Sequence, residues 1–305
     1  MKVLRRAFRA NSFKIKHPKL HTESVQDRVS TSSRLINWHN VSFLVSDDPS
    51  DYGPFWERLA TGQWEPQTLA LLDHLLTAGS LFVDIGAWIG PTTLYAAAKG
   101  AIVDAYECDP IALAILRRNI LMNPALRRQI RVHDFALWDA DGVIEMWSQQ
   151  LGNSESSIFP VHERGGAFTH CADSFLAPAR STAAIFRKKQ YAMMESTVIK
   201  IDIEGAEFRI LPSLYDIITK SHAIWYVSVH ELNVNQINLP PHPIRISEVV
   251  RLLSTFRNLH WYDADLVELD KTAVLEAVVA GTWPKHSSFV FASRSLRPPS
   301  ATIEK

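Results

Sequence analysis

The chain has 305 residues, of which 47% are hydrophobic, and its 32 basic residues balance its 32 acidic residues. This length and apolar content suit one large α/β domain with an extension, or two small domains. The charge balance gives no general attraction to nucleic acid, and no apolar run is long enough to indicate a membrane span. Because Cys108 and Cys171 are too few for a disulfide-stapled secreted domain, we expect a cytoplasmic location.

The first 78 residues are predicted to lie outside the main sheet. Residues 1–30 form a basic arm in this prediction, interpreted as solvated, with contact to an anionic surface as the alternative. No apolar core follows the basic residues, so the arm does not resemble a secretory signal. Residues 31–78 form an extension. Alternation of apolar and polar residues between Arg34 and Val45 predicts paired strands in it, and the pattern of residues 56–76 predicts a helix.

Residues 81–99 predict a strand, a ligand loop and a helix. The strand is apolar apart from Asp84, a turn follows with Gly86 and Gly90, and an Ala-rich helical pattern opens at Pro91. In open α/β sheets, ligands bind beyond the carboxyl ends of the strands. Because glycine allows a backbone to approach a ligand closely, the loop is a candidate cofactor site.

The charges around this loop favour a cationic ligand. The spacing of Gly86 and Gly90 matches neither the dinucleotide motif nor the P-loop. Glu107 ends the next strand, residues 102–107, where a carboxylate suits the diol of a ribose. Asp84 beside a diphosphate would cost on the order of several kcal/mol in a partly dry site. S-adenosylmethionine carries a sulfonium and an ammonium group, so these carboxylates favour it as the cofactor.

Four segments together resemble the ordered motifs of FkbM-type methyltransferases. They are Asp-Ile-Gly-Ala-Trp-Ile-Gly at 84–90, Tyr-Glu-Cys-Asp-Pro at 106–110, Ala-Leu-Trp-Asp at 136–139 and Ile-Lys-Ile-Asp-Ile-Glu-Gly-Ala-Glu at 199–207. The resemblance covers residues 65–294 and implies a Rossmann-like class I methyltransferase fold. In that α/β fold, helices cover both faces of a seven-stranded, mostly parallel sheet whose last strand is antiparallel. Trp88 and Pro91 depart from the family pattern.

The family also implies the donor, the acceptor and the residues that bind the donor. S-adenosylmethionine is the donor, and the acceptor is a small molecule with a hydroxyl, such as a sugar or a polyketide or peptide metabolite. The cofactor-binding residues implied are Glu65, Asp84, Gly86, Gly90, Glu107 and Asp139. Glu65 belongs to an aromatic-Glu-Pro element and equally well begins a helix at Pro66. Asp139, or the segment 134–136 before it, is expected near the adenine, although residues 139–142 also favour a turn.

The strand at residues 197–203 carries charges that a central strand ordinarily lacks. Lys200, Asp202 and Glu204 alternate with isoleucines, so they share one side of the strand. A neighbouring helix N-terminus accounts for Glu207 but not for Asp202. Asp202 is therefore predicted to lie in the site and to act as a catalytic base.

The next apolar strand, residues 223–229, brings His230 and Glu231 to the same edge of the sheet. His230 is the second predicted catalytic base. In an alternative interpretation, a cluster at this edge holds a Mg²⁺ ion, which prefers oxygen ligands and could acidify an acceptor hydroxyl. The candidate ligands are Asp202, Glu204, His230 and Glu231.

Residues 79–294 are predicted to form the methyltransferase domain, followed by a tail at 295–305. Inside it, a Gly- and Ser-rich link at 152–157 is interpreted as a solvated loop or as a donor of hydrogen bonds to the ligands. Residues 178–196 are interpreted as a basic helical insertion, which is a solvated helix, a lid or a segment that grips an anionic acceptor. Two other functions remain open: a nucleoside-binding module without turnover, and an NAD(P)-dependent oxidoreductase, which would be expected to carry the missing glycine motif.

Overall fold

The computed structural model of the chain describes residues 32–48, 52–164, 167–229, 246–280, 282 and 287–298. The predicted basic arm, His230 and Glu231 lie outside the described residues. The strands are β1 (Ser33–Trp38), β2 (Val41–Ser46), β3 (Leu81–Ile85), β4 (Ile102–Tyr106), β5 (Ile130–His133), β6 (Ala136–Trp138), β7 (Gly142–Ser148), β8 (Val161–Arg164), β9 (Ala167–His170), β10 (Asp173–Ser181), β11 (Thr197–Ile201), β12 (Ile224–Val229), β13 (His260–Tyr262) and β14 (Ser287–Ala292). The α-helices are α1 (Gly53–Ala60), α2 (Pro66–Leu75), α3 (Pro91–Ala98), α4 (Pro110–Leu121), α5 (Pro124–Arg127), α6 (Thr182–Lys189), α7 (Glu207–Thr219), α8 (Ile246–Thr255) and α9 (Lys271–Ala280).

Seven strands form the central sheet, in the order β13-β14-β12-β11-β3-β4-β5. Only β14 runs antiparallel to its neighbours. The expectation of a seven-stranded, mostly parallel sheet with one antiparallel strand near its edge is confirmed. The strand order reverses between β3 and β11, so this point of the sheet is where a ligand crevice is expected.

Helices cover both faces of the sheet, which explains why its central strands are apolar on both sides. On one face, Phe82 and Val198 pack with α1 to α4 and the β1–β2 hairpin. On the other face, Val83 and Ile199 pack with α6, α7 and α8. The side chains of successive residues on one strand therefore pack into two different hydrophobic cores, one on each face of the sheet.

The β1–β2 hairpin pairs outside the central sheet, as the sequence indicates. Two asparagines hold it in place, one on α4 and one just before α5, since Asn119 Oδ1 accepts from Ser46 N at 2.9 Å and Asn123 Oδ1 accepts from Leu44 N at 2.8 Å. The extension is therefore joined to the helix that follows β4. The same helix begins three residues after Glu107, at the carboxyl end of β4.

Three boundaries differ from those predicted. The helix expected over residues 56–76 is two helices, because the chain turns at Gly62 with a φ of +70° and restarts at Pro66. The sequence also predicts a single strand over residues 130–137, but this segment divides into β5 in the central sheet and β6 in a three-stranded sheet with β10 and β7. Arg180, predicted to lie on a helix, lies on β10, and only α6 within residues 178–196 is α-helical.

Candidate functional site

The loop after β3 is fixed by the backbone of its neighbours. Gly86 N and Ala87 N both donate to Tyr106 O at 3.0 Å, and Asp202 N donates to Ile85 O at 3.0 Å. Gly86 has a φ of +82°, and a β-carbon there would lie 1.9 Å from the carbonyl oxygen of Asp202. The packing of the protein's own backbone therefore requires this glycine, in addition to any approach by a ligand.

Gly90 is required for a similar reason. It precedes α3 with a φ of +101°, and a β-carbon would lie 2.6 Å from Leu116 Cδ1 on α4. The glycine thus lets α3 begin directly against α4.

Glu107 stands at the end of β4 with its carboxylate held by three backbone amides. Its Oε2 accepts from Trp88 N at 2.8 Å, and its Oε1 accepts from Cys108 N at 2.8 Å and from Asp109 N at 2.7 Å. Burial raises the pKa of Glu107 to about 7, while these amides favour the charged form. Two carboxylate oxygens offer about four acceptor positions, so capacity remains for a ligand hydroxyl.

A narrow cleft brings Gly86, Glu107 and Asp202 together at the carboxyl ends of β3, β4 and β11. Its apolar wall is formed by Phe135, Ala136, Leu137, Trp138, Ile144, Met146 and Ile158. The cleft volume is about 70 Å³. Ligand pockets are typically about 300–1,000 Å³, so a bound nucleoside would require this cleft to widen.

The predicted Gly- and Ser-rich link covers the cleft, which Asn153, Ser154 and Ser156 line. Buried Asp109 anchors the link: its Oδ1 caps α4, and its Oδ2 accepts from Gly152 N at 2.8 Å and Ser156 Oγ at 2.9 Å. The indole Nε1 of Trp88 donates to Gly152 O at 2.7 Å. These bonds pin the link to the loop after β3 and to the start of α4.

Sequence reasoning missed the anchoring roles of Asp109 and Trp88. An Asp followed by Pro at a helix start signals an N-cap, but nothing local indicates that the second carboxylate oxygen binds a segment 43 residues away. The Trp88 ring packs edge-on against Tyr52 and Phe55 of the extension, with centroids 5.3 and 4.5 Å away. This departure from the family pattern thus joins three parts of the chain.

A polar row crosses the central sheet in register. Asp84 on β3 pairs with Lys200 on β11, which pairs with Tyr226 on β12. Asp84 is fully buried, and its Oδ2 accepts from the hydroxyls of Thr92 and Thr93 at 2.7 Å each. It does not line the cleft, and burial raises its pKa although Lys200 opposes the shift.

Lys200 links this row to the cleft. Its Nζ lies 3.0 Å from Asp202 Oδ2 and 3.6 Å from Asp84 Oδ1. Burial by itself lowers the pKa of the Lys200 ammonium, but Asp202 and Asp84 outweigh it and raise that pKa above its usual range. The ammonium is therefore charged, and it holds the Asp202 side chain, which is 20% exposed, at the cleft.

A second cavity of about 760 Å³ is lined by Tyr226 of this row. Thr68, Tyr226 and Ser288 contribute hydroxyls to it, and Trp64 and Phe289 contribute aromatic rings. Glu65 is exposed in this cavity and does not line the cleft. Lys200 and Tyr226 interact electrostatically with both Glu65 and Asp202, so the cavity and the cleft are close neighbours.

Asp139 lies away from the cleft. It is exposed and lines a groove between α7 and α8 with Phe208, Arg209 and Pro212 among its neighbours. The cleft is lined instead by residues 135 and 136, from the segment expected as the alternative.

The predicted magnesium ligands include His230 and Glu231, which the structure does not describe. Within the described ranges, no group of three or more His, Cys, Asp and Glu side chains is arranged to hold a metal ion. Among the described helices, none combines the length and apolar character that crossing a membrane requires.

The strand order and the glycine loop at the point of reversal define a class I methyltransferase fold. Residues 84–260 match the family model described as the methyltransferase FkbM domain, and the chain belongs to that family. No curated protein sequence matches the chain.

Solved structures give further, distant likenesses. Methyltransferase FkbM from Methylobacillus flagellatus KT is 14% identical with a TM-score of 0.40, and the match covers 81% of this chain and 56% of that protein. A TehB-like SAM-dependent methyltransferase from Corynebacterium glutamicum is 11% identical with a TM-score of 0.41, covering 82% of this chain and 100% of that one. The O-methyltransferase from Bacillus cereus, in complex with SAH, is 11% identical with a TM-score of 0.40, covering 80% and 90%.

Proposed function

We propose that the chain transfers a methyl group from S-adenosylmethionine to a hydroxyl of a small-molecule acceptor. The observation that carries this proposal is the convergence of Gly86, Glu107 and Asp202 in one cleft at the ends of three adjacent strands. Membership of the FkbM family supports it. A sugar or a polyketide or peptide metabolite is the proposed kind of acceptor.

The residues of the cleft fit the donor chemically. Glu107 offers acceptor positions to the ribose diol, and the apolar wall around Phe135 and Ala136 suits an adenine. Asn153, Ser154 and Ser156 on the link offer polar groups to the methionine portion. Because the cleft is narrow, the link must move outward to admit the donor.

The donor, when bound, supplies a methyl group on a sulfonium, which is already a good leaving group. The chain then has to hold both reactants in line and remove one proton. Orientation can supply roughly 7–11 kcal/mol of the barrier, and a general base typically adds about 10²–10⁴-fold. Asp202 is the proposed base, oriented by Lys200 at 3.0 Å. His230 remains the predicted second base, and Mg²⁺ at the same edge remains the alternative.

The larger cavity is the proposed acceptor site. Lys200 and Tyr226 interact electrostatically both with Glu65 of this cavity and with Asp202 of the cleft, which supports an acceptor site close to the proposed base. Its volume of about 760 Å³ lies within the usual range for small-molecule sites, about 300–1,000 Å³.

Titration calorimetry with S-adenosylmethionine tests the donor site. We expect the parent protein to bind it and Glu107→Ala to bind roughly ten- to a hundredfold more weakly, because charge-assisted hydrogen bonds are lost. Glu145→Ala, at an exposed position on β7, is the control. Unchanged affinity in Glu107→Ala, or tight NAD binding by the parent, would exclude this assignment.

Transfer of label from a methyl-labelled donor to a metabolite extract separates an enzyme from a binding module. The proposal expects labelled product with the parent protein. Donor binding without any transferred label would favour a nucleoside-binding module.

A further inference from the structure

We propose that Glu65 selects an acceptor that carries a positive charge beside its hydroxyl groups. This inference rests on the proposed function, because it assigns the larger cavity to the acceptor. Glu65 then acts on the acceptor, and not on the donor.

The position of Glu65 separates it from the donor site. Its side chain is exposed in the larger cavity, and it is absent from the lining of the cleft that contains Glu107. It immediately precedes α2, with a φ of 36° and a ψ of 54°. This left-handed conformation costs a residue with a side chain some stability, so glycine would be favoured on backbone grounds alone. A glutamate at this strained position indicates that its carboxylate has a function that glycine could not provide.

A chain of hydroxyl groups points its donors towards Glu65. Thr68 Oγ1 donates to Glu65 Oε2 at 3.0 Å. The Tyr226 hydroxyl lies 2.7 Å from Thr68 Oγ1 and 3.2 Å from Ser288 Oγ. Thr68 has one proton and gives it to Glu65, so Tyr226 must donate to Thr68. Burial, then the charge of Glu65, raises the pKa of Tyr226 to about 12, which keeps its proton in place.

The hydrogen bonds donated by Tyr226 and Thr68 therefore run towards the Glu65 carboxylate and end on it. Glu65 also acts on Lys200 through its charge. The Lys200 ammonium, however, already lies 3.0 Å from the Asp202 carboxylate. Glu65, Lys200 and Asp202 together therefore carry a net negative charge.

The cavity wall extends this negative field. Asp263 and Asp265 line it with Glu65, and Arg58 is the one Lys or Arg side chain among its described lining residues. The half-buried ring of Trp64 lines the same cavity, and an indole face attracts cations. Hydroxyl and amide groups from Gln63, Gln67 and Ser228 complete the wall and suit a polyhydroxylated molecule. An ammonium-bearing acceptor fits this wall, whereas an acidic acceptor is repelled.

Three hexoses that differ in charge test the inference: glucosamine, glucose and glucuronate. Their binding to the parent protein is measured by saturation-transfer NMR at pH 6.5 and low salt, where the glucosamine amine is protonated and charges are weakly screened. We expect glucosamine to bind about three- to tenfold more tightly than glucose, and glucuronate to bind most weakly. Glu65→Gln should remove most of the preference, while the exposed control Glu145→Gln should keep it.

Calorimetry with S-adenosylmethionine on the same variants separates this inference from the proposed function. Donor affinity should be unchanged in Glu65→Gln. If Glu65→Gln weakens donor binding and leaves the hexose preference intact, Glu65 belongs to the donor site and the inference is wrong while the proposed function stands. Equal binding of the three hexoses, or no binding at all, also overturns it. If the parent binds no donor, the proposed function fails, and this inference fails with it.

Discussion

The carbonyl oxygen of Asp202 occupies the space that a β-carbon at Gly86 would need, 1.9 Å from its ideal position. The amide of Asp202 in turn donates to Ile85 O at 3.0 Å. The loops that follow β3 and β11 therefore fix each other; the first contains Gly86 of the proposed donor site, and the second contains the proposed base, Asp202. A change at Gly86 should disturb both.

Gly86→Ala is expected to lower the free energy of unfolding by more than about 2 kcal/mol. The residue would have to keep a φ of +82°, which costs about 1–2 kcal/mol without glycine, and would also displace the Asp202 carbonyl. Urea denaturation measures the change. Gly142→Ala is the matched control, because its β-carbon meets no atom within 4 Å and its φ lies outside the left-handed region. Equal stability of the two variants would contradict this account of the loop.

Donor affinity is expected to rise as the pH increases through about 7. Burial raises the pKa of Glu107 to about 7, so its carboxyl is partly protonated below that pH. The hydroxyls of a ribose diol donate hydrogen bonds to the ionised carboxylate. The donor therefore binds more weakly at a pH where Glu107 is still protonated. Calorimetry between pH 6 and 8 should show this trend in the parent and lose it in Glu107→Gln. A variant that keeps the full pH dependence would assign the titration to another group.

The sequence predicts the parts of the site that depend on the order of the strands and on the alternation of side chains between the two faces of a strand. Gly86, Glu107 and Asp202 each directly follow a strand of the parallel sheet, so their common location follows from the topology. Alternation also predicts that Lys200 shares a side with Asp202, and the two form an ion pair. What alternation cannot give is the cross-strand register that sets Lys200 beside Asp84 and Tyr226.

Contacts between distant segments account for most of what the sequence does not reveal. Asp109 and Trp88 reach Gly152, and Ser157 Oγ donates to Glu204 O at 2.6 Å, across separations of 43 to 64 residues. No local sequence pattern encodes such partners. The same residue types occur equally well at the surface or as ordinary helix caps. The position of Glu65 in the larger cavity likewise depends on where α2 packs against β12.

Trp88→Phe is expected to accelerate donor binding by about three- to tenfold. The substitution keeps an aromatic ring beside Phe55 but removes the bond from the indole to Gly152 O, and one hydrogen bond contributes about 0.5–1.5 kcal/mol. The link over the cleft then opens more often. Stopped-flow measurement of the association rate is the test. Trp147→Phe is the control, because its buried Nε1 has no hydrogen-bond partner among the residues that the structure describes. Equal rates in both variants would exclude the link as the barrier.

Asp202→Asn is expected to separate donor binding from chemistry. The amide oxygen can still accept from Lys200 Nζ, now at 3.0 Å from the carboxylate, so the cleft should keep its shape and the donor its affinity. The basic site is lost, and turnover should fall by roughly the 10²–10⁴-fold that a general base provides. Calorimetry and label transfer from the donor measure the two quantities, with Asp216→Asn on α7, 69% exposed, as the control.

A magnesium role for Asp202 predicts instead that EDTA abolishes turnover in the parent and that added Mg²⁺ restores it. If Asp202→Asn keeps full turnover, Asp202 is not the base, and its pairing with Lys200 serves the fold alone.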